Sequence, residues 1–133
     1  MKTLLYVLLP ILFLSTKVSA QSPTTFNHIP GNMRECDNRY YLSAAGKSRG
    51  QMIWIDNFDK GVLTINGHQE KLKSLKFPDR RKYGFFNKNY TVSIRITSQT
   101  NTTGRTYTAK GVFTVLRGSR VIFSRNIIAA GGC

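Results

Sequence analysis

Acidic residues are scarce in this chain. Six carboxylates, Glu35, Asp37, Asp56, Asp59, Glu70 and Asp79, stand against 20 Lys and Arg in 133 residues. No two of them sit at a spacing that marks a general acid and base. Histidine is as thin, with His28 and His68 alone. There is no H-E-x-x-H helix, G-x-S-x-G elbow, C-x-x-C pair or phosphate-cradling glycine loop. These gaps argue against an enzyme, and no metal site, cofactor or small-molecule substrate is expected. Cysteine is limited to Cys36 and Cys133, and Cys36 is read as structural rather than as a nucleophile or metal ligand. No segment shows a sustained helical period, and the one long apolar run lies at the start of the chain.

That run reads as an export signal. Lys2 gives a positive start, Leu4 to Leu14 an apolar stretch, and Val18-Ser19-Ala20 a small-residue cleavage site. Residues 1–20 are therefore expected to be a signal peptide and 21–133 a single domain, periplasmic or secreted and soluble after processing. No cysteine stands at the cleavage point, so no lipid anchor is indicated. Export places Cys36 and Cys133 in an oxidising compartment, where one disulfide between them is expected. Without Lys2 and Lys17 the count is 18 basic against 6 acidic residues, a net charge of +12. Such a surface attracts anionic lipid headgroups, peptidoglycan or nucleic acid. The densest basic stretch is Lys71, Lys73 and Lys76 followed by Arg80-Arg81-Lys82.

What is abundant is alternation. Tyr90, Val92, Ile94 and Ile96 alternate with Thr91, Ser93, Arg95 and Thr97, a period of two that marks a half-buried strand. A polar turn is expected over Ser98 to Gly104. Tyr107, Ala109, Gly111, Phe113 and Val115 then share one parity. Arg117-Gly118-Ser119 turns the chain again, and Val121 to Ile128 is a third β-branched run, so Tyr90 to Cys133 reads as an antiparallel meander. Earlier, Tyr40 to Ala45 reads as a short strand and Gly46 to Gly50 as a flexible basic turn. Met52 to Ile55 is a core strand with Trp54 as its anchor. Asn57 to Gly61 is a loop and Val62 to Ile65 a strand. Asn66-Gly67 is the strongest hairpin signal, since both positions of a type I′ turn need positive φ. Leu72, Leu75 and Phe77 lie on the returning strand, which Pro78-Asp79 ends, leaving Arg80 to Lys82 in a loop. Seven or eight short strands at this length make an all-β domain, a small antiparallel barrel or sandwich.

The turns of the meander carry a further pattern. Thr103-Gly104-Arg105-Thr106-Tyr107 gives T-G-x-x-Y, and Arg117-Gly118 follows Thr103 by fourteen residues. This resembles the bacterial C-type lysozyme inhibitors, exported proteins with an S-G-x-x-Y motif and a Lys-Gly loop at the same spacing. The resemblance implies a small antiparallel β-barrel with a disulfide, in which a serine and a lysine from two loops enter the lysozyme cleft. Thr103 would stand for the serine and Arg117 for the lysine, with Gly104, Tyr107 and Gly118 shaping the partner-binding loops. Leu116 stands where that family has an aromatic residue. A hydroxyl and a cation delivered together suit a retaining glycosidase, whose two carboxyl groups lie about 5 Å apart.

Three functions therefore stand open. The first is a non-enzymatic inhibitor plugging the cleft of a lysozyme or other cell-wall hydrolase. The second is a polyanion-binding envelope protein, contacting lipid, peptidoglycan or nucleic acid through Lys71, Lys73, Lys76, Arg80, Arg81 and Lys82. The third is a periplasmic immunity protein against a toxin.

Overall fold

Asn66 and Gly67 adopt φ values of 52° and 75°, the double positive pair that lets a two-residue turn follow the right-handed twist of its strands. They join β4 (Lys60–Ile65) to β5 (His68–Leu75), paired in full from Ile65↔His68 to Lys60↔Lys73. The computed structural model describes residues 21–33, 36–76, 81–102 and 104–132. Within them the chain continues through β1 (Pro23–Thr24), β2 (Asn38–Tyr41), α1 (Ala44–Ser48) and β3 (Trp54–Asp56) before that hairpin. After it come β6 (Lys82–Phe86), β7 (Thr91–Asn101), β8 (Thr106–Arg117) and β9 (Arg120–Gly132). Every strand pairing is antiparallel. The order runs β4-β3-β2-β9-β8-β7-β6-β5, and β5 returns to β4. Eight strands thus close a barrel, and β1 adds a ninth against β4.

The expected alternation on the meander holds. Tyr90, Val92, Ile94 and Ile96 are buried, as are Ala109, Phe113 and Val115. They share one core cluster with Trp54, which is fully buried and packs on Phe85 at 4.9 Å and Phe113 at 6.1 Å between ring centroids. Aromatic side chains bury the largest apolar areas per residue, so this trio anchors the interior. Gly61 makes room for it. A Cβ there would lie 1.8 Å from Trp54 Cζ2, so the strand must carry glycine where the indole crosses it. A second cluster of Met33, Tyr41, Met52, Ile55 and Val62 is covered by Phe26 and Ile29, and a Phe26↔Met52 bridge ties that stretch down.

Several elements differ from the sequence reading. The strand expected over Tyr40 to Ala45 stops at Tyr41, and Ala44–Ser48 is a helix rather than a flexible turn. Ser43 caps it, its hydroxyl accepting from the Gly46 amide at 3.0 Å. One capped turn is too short to show a 3.6-residue period. Ser98–Asn101 is strand, not turn; a bulge between Ile96 and Ser98 resets the register there. β6 was missed altogether, and Lys82 opens it rather than lying in a loop. The bulk of the third apolar run is less buried than its composition implies, with Val121 54% exposed. The expected signal peptide, Phe77 and Pro78-Asp79 lie outside the described residues. So does Cys133, and with it one half of the expected disulfide.

Candidate functional site

Gly104 and Gly118 both take left-handed φ, 77° and 60°, and each closes a hairpin of the meander. Between them runs β8, twelve residues paired on both edges. At about 3.4 Å per residue the two turns stand roughly 40 Å apart along the strand. The expectation that both loops enter one cleft is therefore corrected: continuous ladder pairing holds β8 extended and sends Arg117 to the opposite end from Gly104. Thr103 itself lies outside the described residues. Tyr107 belongs to neither turn; it sits within β8 and its hydroxyl donates to Asn38 Oδ1. Arg117 is exposed at its turn, opposite Arg120 in the register, and its guanidinium donates to Gln21 Oε1.

The basic residues divide differently from their order in sequence. Lys71, Lys73 and Leu75 share the outer parity of β5, and cross-strand partners share a face. Lys73 lies opposite Lys60 on one side and Phe86 on the other. Leu75 lies opposite Gly84, and Lys82 opposite Arg95. The outer wall of β4 to β7 thus carries Lys60, Lys71, Lys73, Lys82 and Arg95 around two exposed apolar side chains, Leu75 at 37% and Phe86 at 43%. Like charges directly opposite each other destabilise a sheet by a few tenths of a kcal/mol, so Lys60 against Lys73 is a local cost of this surface. Lys76 and Arg81 are exposed just beyond the ends of β5 and before β6, and Arg80 lies outside the described residues. Lys60, Arg95, Leu75 and Phe86 were not found from sequence. Their parity was legible, but only strand register brings them beside the lysines.

The end of the barrel that holds Gly104 and Tyr107 is built on a buried carboxylate. Asp56, 1% exposed, accepts from Asn38 Nδ2 at 2.8 Å, Trp54 Nε1 at 2.7 Å and the Phe58 amide at 3.1 Å. Burial pushes its carboxyl above the ordinary value of 3.8, against the lowering effect of these donors. The same burial, reinforced by the Asp56 charge, raises the hydroxyls of Tyr40, Tyr83 and Tyr107. Above this network opens a cavity of about 310 Å³ lined by Phe58, Tyr83, Ile96, Gln99, Arg105, Tyr107 and Gly132. Phe58 is 52% exposed and holds φ at 69°, with its ring 5.7 Å from that of Tyr83.

Among the described residues no group of three or more His, Cys, Asp or Glu is placed to hold a metal ion. Comparison with protein-family models, with curated proteins and with solved structures finds no match to this chain.

Proposed function

We propose that this is an exported, non-enzymatic β-barrel that docks on an anionic surface of the cell envelope through the outer wall of β4 to β7. The observation that carries the reading is the Lys60–Lys73 cross-strand pair set beside exposed Phe86 and Leu75. Two cations held face to face are tolerated more easily when an anion lies between them. Apolar side chains within a cationic patch favour lipid headgroups over nucleic acid or a wall polymer, because they have an acyl boundary to enter. The Cys36–Cys133 disulfide belongs to the same proposal. Its support is the backbone contact beside it: Gly132 N donates to Asp37 O at 3.3 Å, which brings the chain neighbours of the two cysteines together.

The test is co-sedimentation with phosphatidylglycerol vesicles and with neutral phosphatidylcholine vesicles. Near an anionic membrane each Lys is worth about 1 kcal/mol. Lys60→Gln with Lys73→Gln should therefore weaken binding about thirtyfold, and added salt should weaken it further. Equal binding to neutral vesicles, or indifference to the double substitution, would overturn the reading. Tighter binding to DNA or to peptidoglycan would keep the patch and change the partner.

A second reading keeps a C-type lysozyme as partner but uses one loop. It is favoured by Arg117, exposed at a two-residue turn narrow enough for a cleft, with Gly118 in the left-handed conformation. An arginine that meets a desolvated carboxylate costs about 2–5 kcal/mol to remove. Arg117→Ala should then weaken inhibition about thirtyfold or more while leaving thermal unfolding unchanged. Absence of lysozyme inhibition by the unmodified protein ends this reading.

A further inference from the structure

We propose that the mouth of the barrel is a separate binding site for a single pyranose ring bearing a carboxylate, the unit of an acidic saccharide. This rests on different residues from the outer wall. The cavity of about 310 Å³ lies at the lower end of the roughly 300–1,000 Å³ of small-molecule sites, which is room for one ring. Its walls are of two kinds. Phe58 and Tyr83 present aromatic faces, their planes inclined at 54°. Gln99 and Arg105 supply an amide and a guanidinium from the β7–β8 hairpin.

Phe58 is the residue that calls for a function. A bulky side chain at positive φ is an outlier, and such backbone persists where the surroundings enforce it. Here Asp56 enforces it, accepting the Phe58 amide from within the buried network. The result is a phenyl ring held out into solvent, 52% exposed, beside a cavity. The negative face of an aromatic ring attracts the polarised axial C–H bonds of a sugar. Arg105 is exposed on the rim, where its planar fork matches a carboxylate bidentately. Gln99 donates one amide hydrogen to Asn101 Oδ1 at 3.3 Å, which leaves its second N–H and its carbonyl for ring hydroxyls. The floor is braced from beneath, since Tyr107 donates to Asn38, and Asn38 and Trp54 donate to Asp56.

Titration of the isotope-labelled full-length mature protein with glucuronate, followed by amide NMR, tests this. Saturable shifts are expected at Phe58, Gln99 and Arg105. Glucose, which lacks the carboxylate, and acetate, which lacks the ring, should each bind at least about tenfold more weakly. Phe58→Ala and Arg105→Gln should each raise the glucuronate Kd about tenfold or more, and the Trp54 indole resonance reports whether the network beneath is intact. If Phe58→Ala disturbs that resonance, Arg105→Gln alone decides. Lys60→Gln with Lys73→Gln should leave the titration unchanged, which separates this site from the docking wall. Absence of saturable shifts, glucose binding as tightly as glucuronate, or benzoate binding more tightly than glucuronate would each overturn the assignment.

Discussion

The two ends of β8 are built on opposite plans. At the Thr106 end, strands β2, β3, β8 and β9 converge on Asp56, and the polar groups of Asn38, Trp54 and Tyr107 are joined in one buried network. At the Arg117 end the chain turns in two residues, and Arg117, Gly118, Ser119 and Arg120 are all exposed. β2 pairs with β9 only over Ile128–Gly131, so among the described residues the outer edge of β9 from Arg120 to Ile127 has no strand beside it. Arg120 and Arg125 guard that edge, as charge commonly does on an unpaired strand. Fourteen residues can bring two loops to one site, but an extended strand such as β8 holds its two turns roughly 40 Å apart.

The strongest way to sharpen this contrast is at the cysteines, which the proposed bond would place at the network end. A loop of 97 residues, the span between positions 36 and 133, is worth about 4–5 kcal/mol in the chain-entropy model. Cys36→Ser should lower the unfolding free energy by about that much in urea titrations. The native protein should gain two hydrogens in intact mass on reduction. Free thiols in the native protein would remove the tether from the proposal.

Next in size is Asp56→Ala. It leaves the Trp54 indole N–H, the Asn38 amide and the Phe58 N–H without their acceptor, and each buried orphan costs about 1–3 kcal/mol. A loss of about 3 kcal/mol or more is expected at this end. Arg117→Ala at the other end should stay within about 0.5 kcal/mol, as exposed substitutions usually do. Comparable losses from both would mean that the two ends are equally built into the fold.

Much of the barrel was legible in the chain. The parity of Tyr90 to Ile96 and of Tyr107 to Val115, the Asn66-Gly67 turn and the burial of Trp54 all follow from local chemistry, and the structure bears them out. β6 was not legible, because Lys82-Tyr83-Gly84-Phe85-Phe86 follows Pro78 and carries a central glycine, which reads as loop. In the fold, Gly84 sits between Leu75 and Ser93, and neighbours on both edges supply what propensity does not. The mouth was hidden for a different reason. Phe58 lies in the β3–β4 connection whereas Gln99 and Arg105 belong to the β7–β8 hairpin, and only barrel closure brings them to one cavity.

The smallest expected effect is the pH dependence of the network end, and it decides which force governs Asp56. Burial disfavours the carboxylate, whereas donors from Asn38, Trp54 and Phe58 favour it; the balance leaves the carboxyl above 3.8. A group with a raised folded pKa binds its proton more tightly when folded. Its contribution to stability is then complete below pH 3.8 and is lost as pH rises through the folded value. Each unit of elevation is worth about 1.4 kcal/mol. Asp56→Asn cannot titrate, and its amide also turns a donor towards donors, so it should be less stable than the native protein at every pH. The gap between the two should narrow as pH climbs from 3.8 through the raised folded value. Urea unfolding of both proteins from pH 3 to 7 measures that gap directly. A gap that widens with pH would mean that the donors outweigh burial and that Asp56 is held as a stabilised carboxylate at the base of the mouth.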